Sequence, residues 1–311
     1  GSPSKYEVTV WSFDVVSGNW EKQNIENGPA LRAIYTLGYD QSVGQIVFYG
    51  GSSDGASFEG TSKSERVWND TWYLNIAEKK WTEIKTPGPE PLRSPRGPNL
   101  EVTELTYRFG LTYDYKNQCM AMMDPDHGVW LFRYVAGAEP GKENISGGVI
   151  PKVGAAAKNP LFSGPKEIRK IFPSPLNPAL VNLPDNTLYK LQGSVIGDEI
   201  AWSYDKDAGV FLKYGGCGNN SNPYWLHYGN DLMIYDPGTE TSYWRRVSDV
   251  SGGSRPGNGC TRLPTYDAKR KVTWFFDTVG SGPYMPGLPD TPYGYFQYNI
   301  EKDIFTHIPF K

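Results

Sequence analysis

The stretch Tyr204-Asp205-Lys206-Asp207-Ala208-Gly209-Val210-Phe211-Leu212-Lys213-Tyr214-Gly215-Gly216 decides the reading of this chain, because its plan returns. Tyr-Asp, a polar turn, an apolar run and a glycine pair occur again as Tyr39-Asp40 through Ile46-Val47-Phe48-Tyr49-Gly50-Gly51. Degenerate copies stand at Tyr113-Asp114 through Cys119-Met120-Ala121-Met122-Met123-Asp124 and at Tyr266-Asp267 through Val272-Thr273-Trp274-Phe275-Phe276-Asp277. Four stretches thus share one order of strand, tight turn, strand and loop. A recurring supersecondary unit sets a fold before any residue chemistry does.

A second phrase follows at a distance: an aromatic strand, a polar turn and one more aromatic residue. Its copies are Trp11-Ser12-Phe13-Asp14 to Trp20, Trp72-Tyr73-Leu74-Asn75 to Trp81, Met233-Ile234-Tyr235-Asp236 to Trp244, and Tyr295-Phe296-Gln297-Tyr298-Asn299 to Phe305. Apolar alternation on both arms around Asn, Asp, Gly and Lys is the pattern of an antiparallel hairpin packed on one face. The near-constant spacing predicts that Trp20, Trp81 and Trp244 occupy equivalent places on the last strands of three units. Joined, the two phrases make a four-stranded meander. Such a sheet must stack on copies of itself, and radial stacking gives a β-propeller.

In these residues the chain resembles the kelch-repeat family, whose hallmark is a glycine pair ending the second strand and a spaced Tyr and Trp in the third and fourth. Gly50-Gly51, Tyr73 and Trp81 carry the pattern, as do Gly215-Gly216, Tyr235 and Trp244, while Asp124-Pro125 and Asp277-Thr278 replace the glycine pair in the other two units. The resemblance covers most of the chain outside 137–192. It implies an all-β, kelch-like propeller of four-stranded antiparallel blades, in a single domain over 3–311. It implies little about function, since such propellers include enzymes, glycan binders and interaction scaffolds.

Five units are visible, and the spacing of Asp14, Asn75, Asp236 and Asn299 leaves room for six or seven blades. The first unit shows only its third and fourth strands; either the C-terminal strands complete it or flanking sequence does. Gly1-Ser2 reads as a cleavage scar. The segment 137–192, rich in Pro, Gly and Ala, departs from the pattern and is either a long excursion or a divergent blade. Within it, 165–171 is the one stretch suited to a short helix, with Pro165 at its first turn.

Composition agrees with this reading. The 311 residues include 35 Gly and 25 Pro, suited to many turns, and 21 Tyr, 13 Phe and 10 Trp, suited to a large core. No apolar run approaches the ~18 residues of a membrane helix, so no membrane span is expected. A net charge of −3 without a Lys/Arg cluster argues against nucleic acid as a partner.

Cys217 and Cys260 fall in loops that a meander sends to the same face, so a disulfide between them is geometrically reasonable and would indicate an oxidising compartment. Two unpaired thiols are the alternative. Cys119 begins a second strand and reads as a small buried hydrophobe. Sequons at Asn69, Asn144 and Asn219 permit glycosylation in a secretory host.

Function is expected where loops are long. Segments 52–68, 217–230 and 278–293 far exceed the 2–5 residues a hairpin needs. The second carries Asn219, Asn220, Asn222, Tyr224, Trp225, His227 and Tyr228; the third carries Tyr284, Met285, Asp290 and Tyr293. Aromatic faces beside amides and carboxylates suit sugar rings, although Tyr224, Trp225 and Tyr228 could equally brace the loop. Arg32, Arg93, Arg96, Arg255 and Arg262 lie in or beside segments between units, where guanidinium groups could bind carboxylates or sulfates, or simply tie neighbouring loops together.

Histidines are few: His127, His227 and His307. His307 falls in a final outer strand and reads as a surface residue, and His127 follows Asp124-Pro125-Asp126, a polar turn with some metal-binding character. His227 is the best acid/base candidate. With Tyr228 and Arg262 it could carry β-elimination on a uronate as base, acid and carboxylate neutraliser. Tyr224, Trp225, Asn222, Arg255, Tyr284 and Tyr293 would bind the substrate. No metal site and no cofactor are expected; copper chemistry like that of galactose oxidase would need more suitably placed histidines. The expectation is a secreted or periplasmic propeller that binds a carbohydrate or polysaccharide, acting as a polysaccharide lyase or glycoside hydrolase if it is an enzyme. A non-catalytic scaffold whose loops bind a protein is the alternative.

Overall fold

The computed structural model describes residues 9–25, 27–30, 36–52, 67–84, 110–124, 128–138, 172–181, 183–191, 202–214, 231–246, 264–277 and 294–309. Among these the chain is all-β apart from one short helix, α1 (Pro178–Val181). A two-stranded sheet comes first, β1 (Val10–Asp14) with β2 (Asn19–Gln23). Sheet I joins β3 (Thr36–Asp40), β4 (Gln45–Ser52), β5 (Val67–Asn75) and β6 (Lys80–Ile84). Sheet II joins β7 (Gly110–Asp114), β8 (Cys119–Asp124), β9 (Gly128–Phe132) and β10 (Leu188–Lys190). Sheet III joins β11 (Ser203–Asp205), β12 (Val210–Tyr214), β13 (Asp231–Asp236) and β14 (Thr241–Arg246). Sheet IV joins β15 (Pro264–Asp267), β16 (Val272–Asp277), β17 (Gly294–Asn299) and β18 (Ile304–Pro309). Every pairing in these sheets is antiparallel between chain neighbours, so each full sheet is a meander.

The repeated Asp or Asn explains the hairpins. Each ends a strand, and after it come four turn residues, the fourth at positive φ: Gly18, Gly44, Lys79, Gln118, Gly209, Glu240, Lys271 and Asp303. The anchoring carboxylate or amide oxygen accepts the turn's backbone N–H groups. Asp205 Oδ1, for instance, accepts from Asp207 at 3.0 Å and Ala208 at 2.9 Å, and Asn299 Oδ1 accepts from Lys302 at 2.8 Å. Satisfying these donors locally stabilises a left-handed step even where the residue is not glycine. At Gly50 a φ of 63° accompanies a register shift between Tyr49 and Gly51, so the first residue of that glycine pair makes a β-bulge.

Stacking follows from the alternation. First strands lie side by side in the order β3, β7, β11, β15, and one apolar cluster fills each gap between neighbouring sheets. Phe48, Leu74 and Trp81 face β1–β2 with Val10 and Ile25; Val47, Tyr49 and Tyr73 of sheet I meet Met120, Met122, Trp130 and Phe132 of sheet II. Cys119, Ala121, Met123 and Leu131 meet Phe211, Met233 and Tyr235, and Val210, Leu212, Tyr214 and Ile234 meet Phe275, Phe296, Tyr298 and Phe305. β12 is therefore buried on both faces, Phe211 toward sheet II and its neighbours toward sheet IV. Cys119 is a buried free thiol at the start of β8, as its position predicts. This is a propeller-like array of four-stranded antiparallel sheets.

Register and topology correct two expectations and close one alternative. Trp20 and Trp81 are equivalent, pairing with Phe13 and Leu74 one step from the turn, but Trp244 pairs with Met233, two residues further out. Tyr73 and Tyr235 also differ by one residue: Leu74 pairs with Ile46, whereas it is Tyr235 that pairs with Phe211 at the matching place in sheet III. A one-residue offset turns a side chain to the other face, so Tyr73 points to the following sheet and Tyr235 to the preceding one. Finally, the C-terminal strands complete sheet IV rather than the first unit, which among the described residues remains β1–β2 alone.

The described parts of 137–192 supply α1 and the fourth strand β10 instead of a sheet of their own. Arg133 stands where the other second hairpins have Asp or Asn. Instead of capping a short turn, its guanidinium donates to the carbonyls of Leu183, Asn117 and Leu180, each at 3.0 Å. Asn186 donates to the Val135 and Ala138 carbonyls at 3.0 and 2.7 Å. The excursion then crosses to sheet III: the Ser174 hydroxyl donates to Asp236, and Asn177 donates to the Pro237 carbonyl at 3.0 Å. Gly238 lies directly beneath Ser174 and the Pro175 carbonyl, so a Cβ there would collide with backbone. Gly238→Ala is therefore expected to lift the strap and lower the thermal midpoint by several degrees, whereas Gly18→Ala, with open space around it, changes the midpoint only through its own φ.

Candidate functional site

The residues singled out for chemistry lie outside the described residues: His227, Tyr228 and Arg262 as catalytic candidates, and Asn222, Tyr224, Trp225, Arg255, Tyr284 and Tyr293 as substrate-binding ones. So do Arg32, Arg93, Arg96, His127, Cys217 and Cys260. What the structure does describe is the framework from which those segments leave. β12 ends at Tyr214 and β13 begins at Asp231; β14 ends at Arg246 and β15 begins at Pro264; β16 ends at Asp277 and β17 begins at Gly294. Because Tyr214 pairs with Leu232 and Asp277 with Gly294, all six chain ends lie on one end of sheets III and IV, opposite the Asp-anchored turns. The described part of the excursion, in contrast, packs on the turn end, since β9 and β10 are joined there.

At the turn end the tyrosines of the repeated Tyr-Asp phrase bridge sheets. Tyr113 reaches Ser42 in the turn of sheet I, and the buried Tyr204 hydroxyl faces Asp114 in the turn of sheet II without entering hydrogen-bond geometry. Tyr266 donates to Asp207 Oδ2 at 2.6 Å in the turn of sheet III. Tyr113, Tyr204 and Tyr266 therefore each meet the turn of the preceding sheet, whereas Tyr39 is half exposed. Burial, then the neighbouring carboxylates, push Tyr204 and Tyr266 far above the ordinary phenol range, so they serve as neutral contacts and not as bases. Sequence reading found the phrase but not this role, because the contact joins residues about 60–90 positions apart.

Some turn carboxylates shift, in opposite directions. Desolvation raises Asp114 and Asp205, whereas Arg270 and the backbone N–H groups hold Asp267 down at about 2. Asp114 and Asp205 hold a proton more readily folded than unfolded, where the ordinary value is about 3.9. Their destabilising effect is complete above the raised folded values and fades as pH falls through them toward the unfolded value. Asp267 runs the other way, its contribution present above the ordinary value and lost as pH falls toward about 2. Asp205→Asn should therefore flatten the rise in urea midpoint on going from neutral pH to about pH 4. An offset that is the same at every pH would contradict the assignment.

Among the described residues no group of His, Cys, Asp and Glu is arranged to hold a metal ion, and no helix is long and apolar enough to cross a membrane. His307, in β18, stacks on Phe296 with ring centroids 4.8 Å apart. A small apolar cavity of about 20 Å³ lies between sheets I and II, lined by Val47, Tyr49, Met120, Trp130 and Phe132 among others; it is a packing gap. Comparison with known proteins finds no family model that matches the chain and no curated protein that matches it.

Proposed function

We propose that the protein is a kelch-like β-propeller, secreted or periplasmic, that binds an anionic carbohydrate at the end of its sheets opposite the Asp-anchored turns. One observation supports the reading above others: segments 215–230, 247–263 and 278–293 all depart from and return to that one end of two consecutive sheets. Those segments hold Tyr224, Trp225, His227, Tyr228, Arg255, Arg262, Tyr284 and Tyr293. Aromatic faces would stack on sugar C–H faces and arginines would take the carboxylate or sulfate. If the site is catalytic, the reaction class is β-elimination on a uronate: His227 removes the C5 proton, Arg262 neutralises the carboxylate as charge builds on it, and Tyr228 protonates the leaving glycosidic oxygen as the C4–O bond breaks.

The test is a glycan array followed by an absorbance assay for the unsaturated uronate. His227→Ala is expected to abolish turnover by about 10²–10⁴-fold while leaving most of the binding. Trp225→Ala is expected to reduce affinity whether or not the site is catalytic. An array with no anionic-glycan signal would dismiss the proposal.

A further inference from the structure

One row of residues crosses every full sheet at the same register and faces the preceding sheet, and in sheet III it changes character. From first to third strand the row reads Leu37–Phe48–Trp72 in sheet I, Leu111–Met122–Trp130 in sheet II and Pro264–Phe275–Phe296 in sheet IV. Its second-strand members Phe48, Met122 and Phe275 are at most 4% exposed and belong to the apolar clusters between sheets. In sheet III that place is held by Lys213, which pairs with Met233 and is 3% exposed. One step beyond the pair Ser203–Leu212, Trp202 stands opposite Lys213. Trp202 and Met233 belong to the cluster between sheets II and III, so Lys213 faces that same gap, which Met123, Val129 and Leu131 line from sheet II.

A buried ammonium where the repeat elsewhere puts Phe or Met carries a desolvation cost that apolar packing does not return. Beside it, the buried indole Nε1 of Trp202 donates to no acceptor, a second standing cost. Lys213 is engaged within the protein, but an ammonium has three donors. Both side chains are donors without an acceptor atom, one of them is charged, and they lie one residue from the point where β12 ends at Tyr214. We infer that Lys213 and Trp202 form a binding site for one oxyanion, a carboxylate or sulfate group, at that end of the gap between sheets II and III. An anionic oxygen satisfies the indole N–H, and the ammonium makes the site select for charge. The site goes beyond the carbohydrate reading, because its donors belong to the strand framework and it stands whether a sugar or a free acid bears the oxyanion.

The test follows the indole N–H resonance of Trp202 in the whole protein, assigned by its loss in Trp202→Phe, during titration with sodium glucuronate, sodium acetate and glucose at constant ionic strength. Both anions are expected to shift it saturably and glucose not at all. A tighter response to glucuronate than to acetate places the oxyanion on a sugar, and equal responses place it on a free acid. Lys213→Met, which gives sheet III the residue that sheet II has at this place, is expected to weaken the glucuronate response at least about tenfold. Lys190→Met, which removes a buried ammonium from the same row of sheet II, is expected to leave it unchanged. A wild-type resonance that ignores both anions overturns the inference without any variant having to fold. So does a Lys213→Met protein that responds like the wild type, or a Lys190→Met protein that loses the response to the same degree as Lys213→Met. A blank glycan array beside a saturable shift of Trp202 would dismiss the carbohydrate reading and leave this site standing.

Discussion

Trp81→Ala is expected to lower the unfolding free energy by about 3–5 kcal/mol, while Trp20→Ala, at the same register position of its hairpin, should change it by less than about 1 kcal/mol. Trp81 is buried against Phe48, with ring centroids 6.1 Å apart, and Gly28 packs against its indole so closely that a Cβ there would strike the ring. Removing it opens a cavity between β1–β2 and sheet I that rigid neighbours cannot refill. Trp20 is mostly in water already, so truncation removes little buried area. Urea titrations of the two variants settle the matter: a comparable loss from Trp20→Ala would mean that its face is covered in solution.

The second large effect is expected at Asp236. Its carboxylate is fully buried and accepts from the Gly238 N–H at 2.8 Å, the Thr239 hydroxyl at 2.9 Å and the Ser174 hydroxyl. Asp236→Ala takes the acceptor from the Gly238 N–H and the Thr239 hydroxyl, leaves the Ser174 hydroxyl only the Pro175 carbonyl at 3.2 Å, and loosens the excursion from sheet III, a loss of roughly 2–4 kcal/mol. Asp14→Ala removes the same turn anchor from an exposed hairpin, where water replaces it, and should show a small fraction of that loss. Asp236→Asn is expected to recover most of the stability, because Asn75 and Asn299 hold the same turn position. If Asp236→Asn proves as damaging as Asp236→Ala, the negative charge itself is required and hydrogen-bond acceptance alone does not explain the turn.

These contrasts mark what could be read early. Both hairpin phrases are strands where the sequence places them, because Asp or Asn followed by a four-residue turn is a local device whose donors and acceptor lie within four residues of each other. The fourth strand of sheet II carries no local signal, since Arg133 replaces the turn anchor and about fifty residues separate β9 from β10. Trp244 and Tyr235 lie one or two residues from the register that the aromatic spacing predicts, because that spacing tolerates a slip that backbone pairing does not. Of the candidate site, the sequence supplies residue types and the topology supplies a common end of two sheets.

By itself the sequence determined the class of this protein: repeated hairpin phrases with alternating apolar arms leave no stable outcome except stacked antiparallel sheets, since each sheet has two apolar faces to bury. Only the tertiary structure decided which equivalent residues are core and which are surface. Phe13 and Tyr298, or Tyr39 and Tyr113, read alike along the chain and differ in burial, because burial depends on whether another sheet lies opposite, and that partner is brought there by the stacking order and not by the residue's own neighbours.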